Sequence, residues 1–141
     1  MPHTNFFGLG IAPGILEILQ RLKFTHPTPI QQKAIPTAIE GKDIIGVAQT
    51  GTGKTLAFGI PLIQRLAQIK GRGLVLVPTR ELAIQVDESL RKFLNPAQMR
   101  TVVLIGGASM YQQVQDIRPA KRFRWKEKSL SRSMTMTSVK S

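Results

Sequence analysis

Apolar residues along the chain recur first at helical spacing and then in short unbroken runs, and the two patterns alternate. Ile15, Leu16, Ile18, Leu19 and Leu22 fall at helical intervals, and Pro13 suits a first turn, so a helix is expected over residues 13–22. A second, short helix is expected over residues 31–39, with Pro36 bending or interrupting it and Gly41 ending it. Asp43, Ile44, Ile45, Gly46 and Val47 read as a buried strand. Leu56, Ile60, Leu62, Ile63, Leu66 and Ile69 then mark a helix that Pro61 can kink and that Gly71 and Gly73 close. Leu74 to Val77 is a continuous apolar strand stopped by Pro78. Leu82, Val86, Leu90 and Phe93 mark the next helix, with Thr79 as its N-cap and Asn95-Pro96 as its terminator. Residues 101–105 form a third apolar strand, ending at Gly106-Gly107. Continuous apolar strands separated by helices imply an α/β fold, a parallel sheet with helices on both faces.

One turn in this pattern carries chemistry. Between the first strand and the helix at Leu56 stands Ala48-Gln49-Thr50-Gly51-Thr52-Gly53-Lys54-Thr55. Gly51 and Gly53 permit a tight turn whose N–H groups face inward, and the next helix adds its positive end, which together suit a phosphate. In a P-loop the lysine, here Lys54, reaches the β- and γ-phosphates, and the hydroxyl, here Thr55, helps hold Mg²⁺. Glycine is usual at the first position, where this chain has Ala48, as in some helicase-type loops. An ordinary glycine-rich turn explains the composition but not its place between a strand and a helix.

Composition bounds the class. With 141 residues and 42% hydrophobic content, the chain can build one domain around a single core. It has no cysteine, hence no disulfide framework or thiolate metal site, and His3 and His26 stand apart without a carboxylate cluster. No apolar run approaches the ~20 residues that span a bilayer, and the first residues lack a signal-peptide pattern, so the expectation is no membrane and a cytoplasmic location. Net charge is +12. Residues 1–118 carry 13 Lys/Arg and 7 Asp/Glu, and residues 119–141 carry 7 and 1, so half of the excess lies in the last 23 positions.

Three further stretches, taken with the lysine loop, resemble the DEAD-box family of ATP-dependent RNA helicases. Phe24-Thr25-His26-Pro27-Thr28-Pro29-Ile30-Gln31, with Phe6 upstream, is similar to the family's Q motif. That resemblance implies adenine packing on Phe24 and reading by Gln31, with Phe6 as a supporting candidate. A carboxamide offers the donor and the acceptor that the N6/N7 edge of adenine needs. The family usually has glycine where this chain has Lys23. Pro78-Thr79-Arg80-Glu81-Leu82-Ala83 is similar to motif Ia, and Gly106-Gly107 to the GG element. Both imply contact with an RNA backbone: Pro78, Thr79 and Arg80 through a helix N-terminus, a hydroxyl and a guanidinium, and Gly106 and Gly107 through a bare main chain.

The resemblance therefore implies an incomplete RecA-like P-loop NTPase domain over residues 1–118. ATP and Mg²⁺ would be its cofactors and RNA its partner, with little reading of base sequence. Ala48, Gln49, Thr50, Gly51, Thr52, Gly53, Lys54 and Thr55 would hold the nucleotide, Lys54 and Thr55 being the catalytic candidates. After Arg118 the resemblance yields to a basic tail, residues 119–141, which reads as disordered. The family's Asp-Glu-Ala-Asp box and second domain are absent from the sequence, so the expectation is a truncated or frame-shifted helicase fragment that does not hydrolyse ATP alone. The alternative is a short protein whose own tail replaces the rest. Removing strands from the middle of such a sheet would leave unpaired edges and favour changed pairing. A non-catalytic RNA- or adenine-nucleotide-binding fragment stays open as a second function. A small P-loop kinase would leave Gln31 and residues 78–83 without a role. In the tail, Lys121, Arg122, Arg124, Lys126 and Lys128 interleave with Phe123 and Trp125, a pattern that fits single-stranded nucleic acid or simply a solvated basic segment.

Overall fold

The structure, a computed structural model, describes residues 5–51, 53–94 and 99–118, and the backbone of 135–140. Along them run helices α1 (Pro13–Arg21), α2 (Pro29–Ile39) and α3 (Lys54–Gln68), strand β1 (Arg72–Val77), helix α4 (Arg80–Arg91), strand β2 (Arg100–Leu104), helix α5 (Met110–Ile117) and strand β3 (Thr135–Lys140).

The helices form where periodicity and caps agree. Pro13 opens α1, which buries Ile15 and Leu19. It ends in a Schellman pattern: the Phe24 amide donates to the Leu19 carbonyl and the Lys23 amide to that of Gln20, both at 2.9 Å. This motif needs a left-handed residue, and Lys23 supplies it with φ 62°. Helix α2 begins at Pro29, earlier than the apolar spacing shows, because Thr28 is its N-cap. It continues through Pro36 to Ile39. Helix α3 likewise runs through Pro61. Thr79 caps α4 as expected, its hydroxyl accepting the Leu82 N–H at 3.2 Å.

The core lies mainly among these helices. Phe6, Leu9 and Ile11 of the N-terminal segment pack with Ile15, Leu19, Ile35, Ile60, Ile63, Val86 and Leu90. Burying a side chain of this size contributes about 1.5–3 kcal/mol, which is why the N-terminal segment is anchored. Gln64 fixes it further: its Oε1 accepts the Ala12 N–H at 2.8 Å and its Nε2 donates to the Gly10 carbonyl at 2.9 Å. At Gly59 a Cβ would lie 2.5 Å from Leu90 Cδ2, so α3 and α4 approach closely there.

The described sheet has the order β1–β3–β2. β3 runs antiparallel to both neighbours, with Val75 opposite Thr137 on one side and Val103 opposite Thr137 on the other. β1 and β2 consequently point the same way, as the alternating pattern requires, but a chain-terminal strand separates them. α4 packs against all three strands. Gly73 is buried and Val75 and Val77 are half-buried, whereas Leu74 and Leu76 on the opposite face are exposed.

Two expectations need correction. Residues 43–47 form no strand. Their apolarity fits one, but a strand exists only with a hydrogen-bonded neighbour, and none of the three described strands pairs with this segment. Ile45 is 97% and Val47 92% exposed. The second correction concerns the tail. Residues 135–140, read from composition as disordered, form β3, for which the β-branched Thr135, Thr137 and Val139 are suited. The slot between β1 and β2 supplies the backbone partners. The aromatic and basic cluster at 121–128 lies outside the described residues, as do Asn95-Pro96.

Candidate nucleotide site and backbone-binding loops

The lysine loop is built as its glycines dictate. Gly51 and Gly53 have φ of 76° and 81°, the left-handed region that favours glycine. Gly53 is also the N-cap of α3, and a Cβ on it would collide with Gln31 Nε2. The first N–H groups of α3 have no intrahelical acceptor, and they belong to Lys54, Thr55 and Leu56. Lys54 Nζ folds back to donate to the Ala48 carbonyl at 2.5 Å, and Thr55 is half-buried beside it. Ala48, Gln49, Thr50 and Gly51 complete the loop, while Thr52 lies outside the described residues. Among the described residues, chain neighbours apart, nothing lies within 4 Å of a Cβ placed on Gly51, so this side of the loop has room for a phosphate group.

A mostly apolar groove of about 600 Å³ runs beside the loop, and Lys54, Thr55, Asp43, Lys42, Phe58 and Arg65 are among its walls. Lys42 pairs with Glu40 at 2.6 Å on the surface. The hydrogen bond that the Lys42 ammonium donates to that carboxylate, and then the carboxylate's charge, raise the lysine's pKa above its ordinary value. Among the described residues no cluster of His, Cys, Asp and Glu could hold a metal ion by itself, so a cation here would depend on the Thr55 hydroxyl and on phosphate oxygens.

Gln31 joins the Q-like segment to the loop. The buried side chain accepts the Thr28 N–H on Oε1 at 2.9 Å and donates from Nε2 to the Gly53 carbonyl at 3.0 Å. The first bond is the returning half of a capping box with Thr28. One N–H and one lone pair of the carboxamide remain. Phe24 is partly exposed just after the Schellman turn. Phe6, expected to support adenine binding, is instead sealed in the core at 3% exposure, because its ring packs with the N-terminal apolar residues.

The two backbone-binding candidates meet at one end of the sheet. Pro78, Thr79 and Arg80 follow β1, Gly106 and Gly107 follow β2, and all five are exposed. Since β1 and β2 point the same way, both loops leave from their carboxyl ends, the usual side for ligands in α/β sheets. Arg80 donates from its guanidinium to the Gly106 carbonyl, and a Cβ on Gly107 would strike the same guanidinium. Gly107 has φ 79°. Gln113 was not legible as part of this site. It lies on α5 and its amide grips the peptide groups before and after the glycines. No motif marks it, because its significance is only that it folds back eight residues.

A glycine-rich turn leading into a helix, its lysine and threonine in the first turn, defines this α/β chain as a P-loop NTPase with a RecA-like fold. The sequence pattern described as DEAD/DEAH box helicase matches residues 28–134, and the chain belongs to that family. It is 51% identical over 119 residues to the ATP-dependent rRNA helicase RRP3 of Debaryomyces hansenii, a match covering 83% of this chain and 25% of the relative. Among solved structures it resembles the RNA-helicase Prp28 from Chaetomium thermophilum bound to ADP, with TM-score 0.69, 39% identity, and coverage of 80% of this chain and 29% of the other. It also resembles S. cerevisiae Dbp5 bound to RNA and ADP BeF3, with TM-score 0.59, 33% identity, and coverage of 64% and 24%. The chain thus spans about a quarter of the length of the curated relatives it matches. No helix among the described residues is long and apolar enough to cross a membrane.

Proposed function

We propose that this chain binds ATP with Mg²⁺ at residues 48–55 and an RNA backbone at the loops after β1 and β2, as the nucleotide-binding part of an RNA helicase. The observation that carries the reading is the start of α3, where Gly53, Lys54 and Thr55 put a left-handed turn, an ammonium and a hydroxyl beside an open loop. The residues fit a nucleotide triphosphate. Lys54 would leave the Ala48 carbonyl for the β- and γ-phosphates, and Thr55 would hold Mg²⁺ through the nucleotide. The cation would supply positive charge to the phosphate oxygens. Phe24 and Gln31 are the proposed adenine contacts, Gln31 through its remaining N–H and lone pair. Pro78, Thr79, Arg80, Gly106 and Gly107 are the proposed RNA contacts.

Binding without turnover is favoured for this chain alone. Asp87 is committed to Arg91, whose Nε lies 2.7 Å from Oδ2, and it sits inside α4 rather than after a strand. ATP-driven unwinding is proposed only for a longer protein with the further parts the relatives contain.

The test is titration of the purified chain with ATP and with GTP in Mg²⁺, following phosphate release with and without RNA. ATP-selective saturation without release is expected, and Lys54→Ala should abolish it. Gln31→Ala should lower the preference for ATP over GTP. An unchanged preference would remove Gln31 from adenine recognition, and RNA-stimulated release would mean that a catalytic carboxylate is present after all.

A further inference from the structure

We infer that Gln113 is a positioning residue that holds the Gly106-Gly107 turn in the shape that meets an RNA backbone. The inference rests on the RNA contact proposed above for that turn. Strand pairing stops at Leu104, which lies opposite Met136, so the next peptide groups need other partners. Gln113 supplies them. Its Oε1 accepts the Ile105 N–H at 2.8 Å, and its Nε2 donates to the Ile105 carbonyl at 3.0 Å and to the Ala108 carbonyl at 3.4 Å. The carboxamide thus pairs with Ile105 as another strand would and ties down the far side of the turn.

Arg80 completes the arrangement by taking the Gly106 carbonyl. The carbonyls of Ile105, Gly106 and Ala108 are all turned toward side-chain donors. The N–H groups of Gly106 and Gly107 make no hydrogen bond among the described residues. Carbonyls engaged by side-chain donors, beside exposed glycines whose N–H groups keep their hydrogen-bonding capacity, suit an anionic phosphate. Gly107 must keep φ 79° for this, and a turn of two glycines has no side chains with which to hold itself. The restraint comes from Gln113, one helix away in sequence.

Three variants test this in the full chain. Gln113→Ala removes the grip. Gln113→Glu keeps the acceptor but loses the donor while ionised, and regains a donor on protonation. Gln112→Glu places the same charge on the neighbouring, exposed residue without touching the turn. Arg80 is the charged group bonded to the same turn. Two readouts are used: amide hydrogen exchange at Ile105 without RNA, and binding of a single-stranded oligouridylate at fixed salt, with ATP affinity measured alongside.

Gln113→Ala should speed exchange at Ile105 and weaken oligouridylate binding about tenfold, with ATP affinity within twofold. Gln113→Glu should match it at pH 8 and recover binding only as the pH falls toward about 4, where the carboxyl takes up its proton. The profile of Gln112→Glu should parallel that of the unsubstituted chain. Unaltered exchange in Gln113→Ala would show that the grip does not exist in solution. Faster exchange with unaltered RNA binding would show that the turn it holds is not where RNA binds. If the unsubstituted chain fails to bind oligouridylate, the RNA contact itself falls. Equal losses in the two glutamate variants at every pH would reduce the effect to charge.

Discussion

Lys23 stands at a position whose backbone asks for glycine. The Schellman turn after α1 sets φ at 62° there, and a left-handed conformation costs a residue with a Cβ roughly 1–2 kcal/mol. Lys23→Gly should therefore stabilise the chain by about 1 kcal/mol after allowing for glycine's greater freedom when unfolded. Lys23→Ala, which keeps the Cβ, should not. Thermal unfolding reads the difference as a rise of a few degrees, and equal midpoints for the two variants would mean that the turn relaxes without strain. That departure from the family pattern was visible in the sequence, and its structural cause is now explicit. Gln31 was legible as well, though not its full duty: both ends of its amide already serve the main chain at Thr28 and Gly53. Gln31→Ala removes the partners of a part-buried N–H and a part-buried carbonyl, so it should lower stability by about 1 kcal/mol even without nucleotide. Denaturant unfolding of the two proteins without ligand checks this, and an unchanged midpoint would show that water replaces the amide. Gln64 and Gln113 were not legible, because a glutamine between apolar residues announces nothing until its partners at positions 10 and 12, or 105 and 108, are brought beside it.

Among the elements, those that close their own hydrogen bonds were the easier to read. The helices α1, α3 and α4 lie where the apolar spacing puts them, within the usual uncertainty at their ends. The Thr79 cap could be named from one residue type at one position. Strands depend on what lies alongside, and residues 43–47 show how this misleads. Ile44, Ile45 and Val47 have the composition of a buried strand, yet the segment pairs with no described strand and leaves Ile45 and Val47 almost fully exposed. β1 presents Leu74 and Leu76, both more than half exposed, on a strand whose outer edge pairs with no described strand. Open edges and unpaired apolar segments on one chain favour edge-to-edge association. Light scattering against concentration should show self-association, and Ile45→Lys should reduce it, since a charge at the centre of the run opposes pairing. Ile45 touches none of the interior, so stability should change by less than about 0.5 kcal/mol. An equally associated Ile45→Lys variant would move the cause to another surface.

At the scale of the molecule, the α/β class and the direction of β1 and β2 followed from the alternating pattern, but the sheet's centre did not. The slot between those strands holds β3, from the far end of the chain and antiparallel to both. Its composition alone, threonine, serine and methionine with one valine and one lysine, does not distinguish a central strand from a solvated tail. What decides is the pair of open backbone edges facing each other across one strand's width. This has a consequence for the proposed site, because the loops at 78–80 and 106–107 issue from β1 and β2, and β3 sets the spacing between them. Thr137 lies inside both ladders, opposite Val75 and Val103. Thr137→Pro removes an N–H and restricts the backbone in a central strand, where proline is almost never tolerated. It should lower the unfolding midpoint and weaken oligouridylate binding together, while a loop held by α2 and α3 should bind ATP with less change. Loss of RNA binding with ATP binding retained would tie the two loops to β3. A variant that unfolds at the same midpoint and binds both ligands normally would show that β1 and β2 do not depend on the tail, and their edges would then have to be covered in another way.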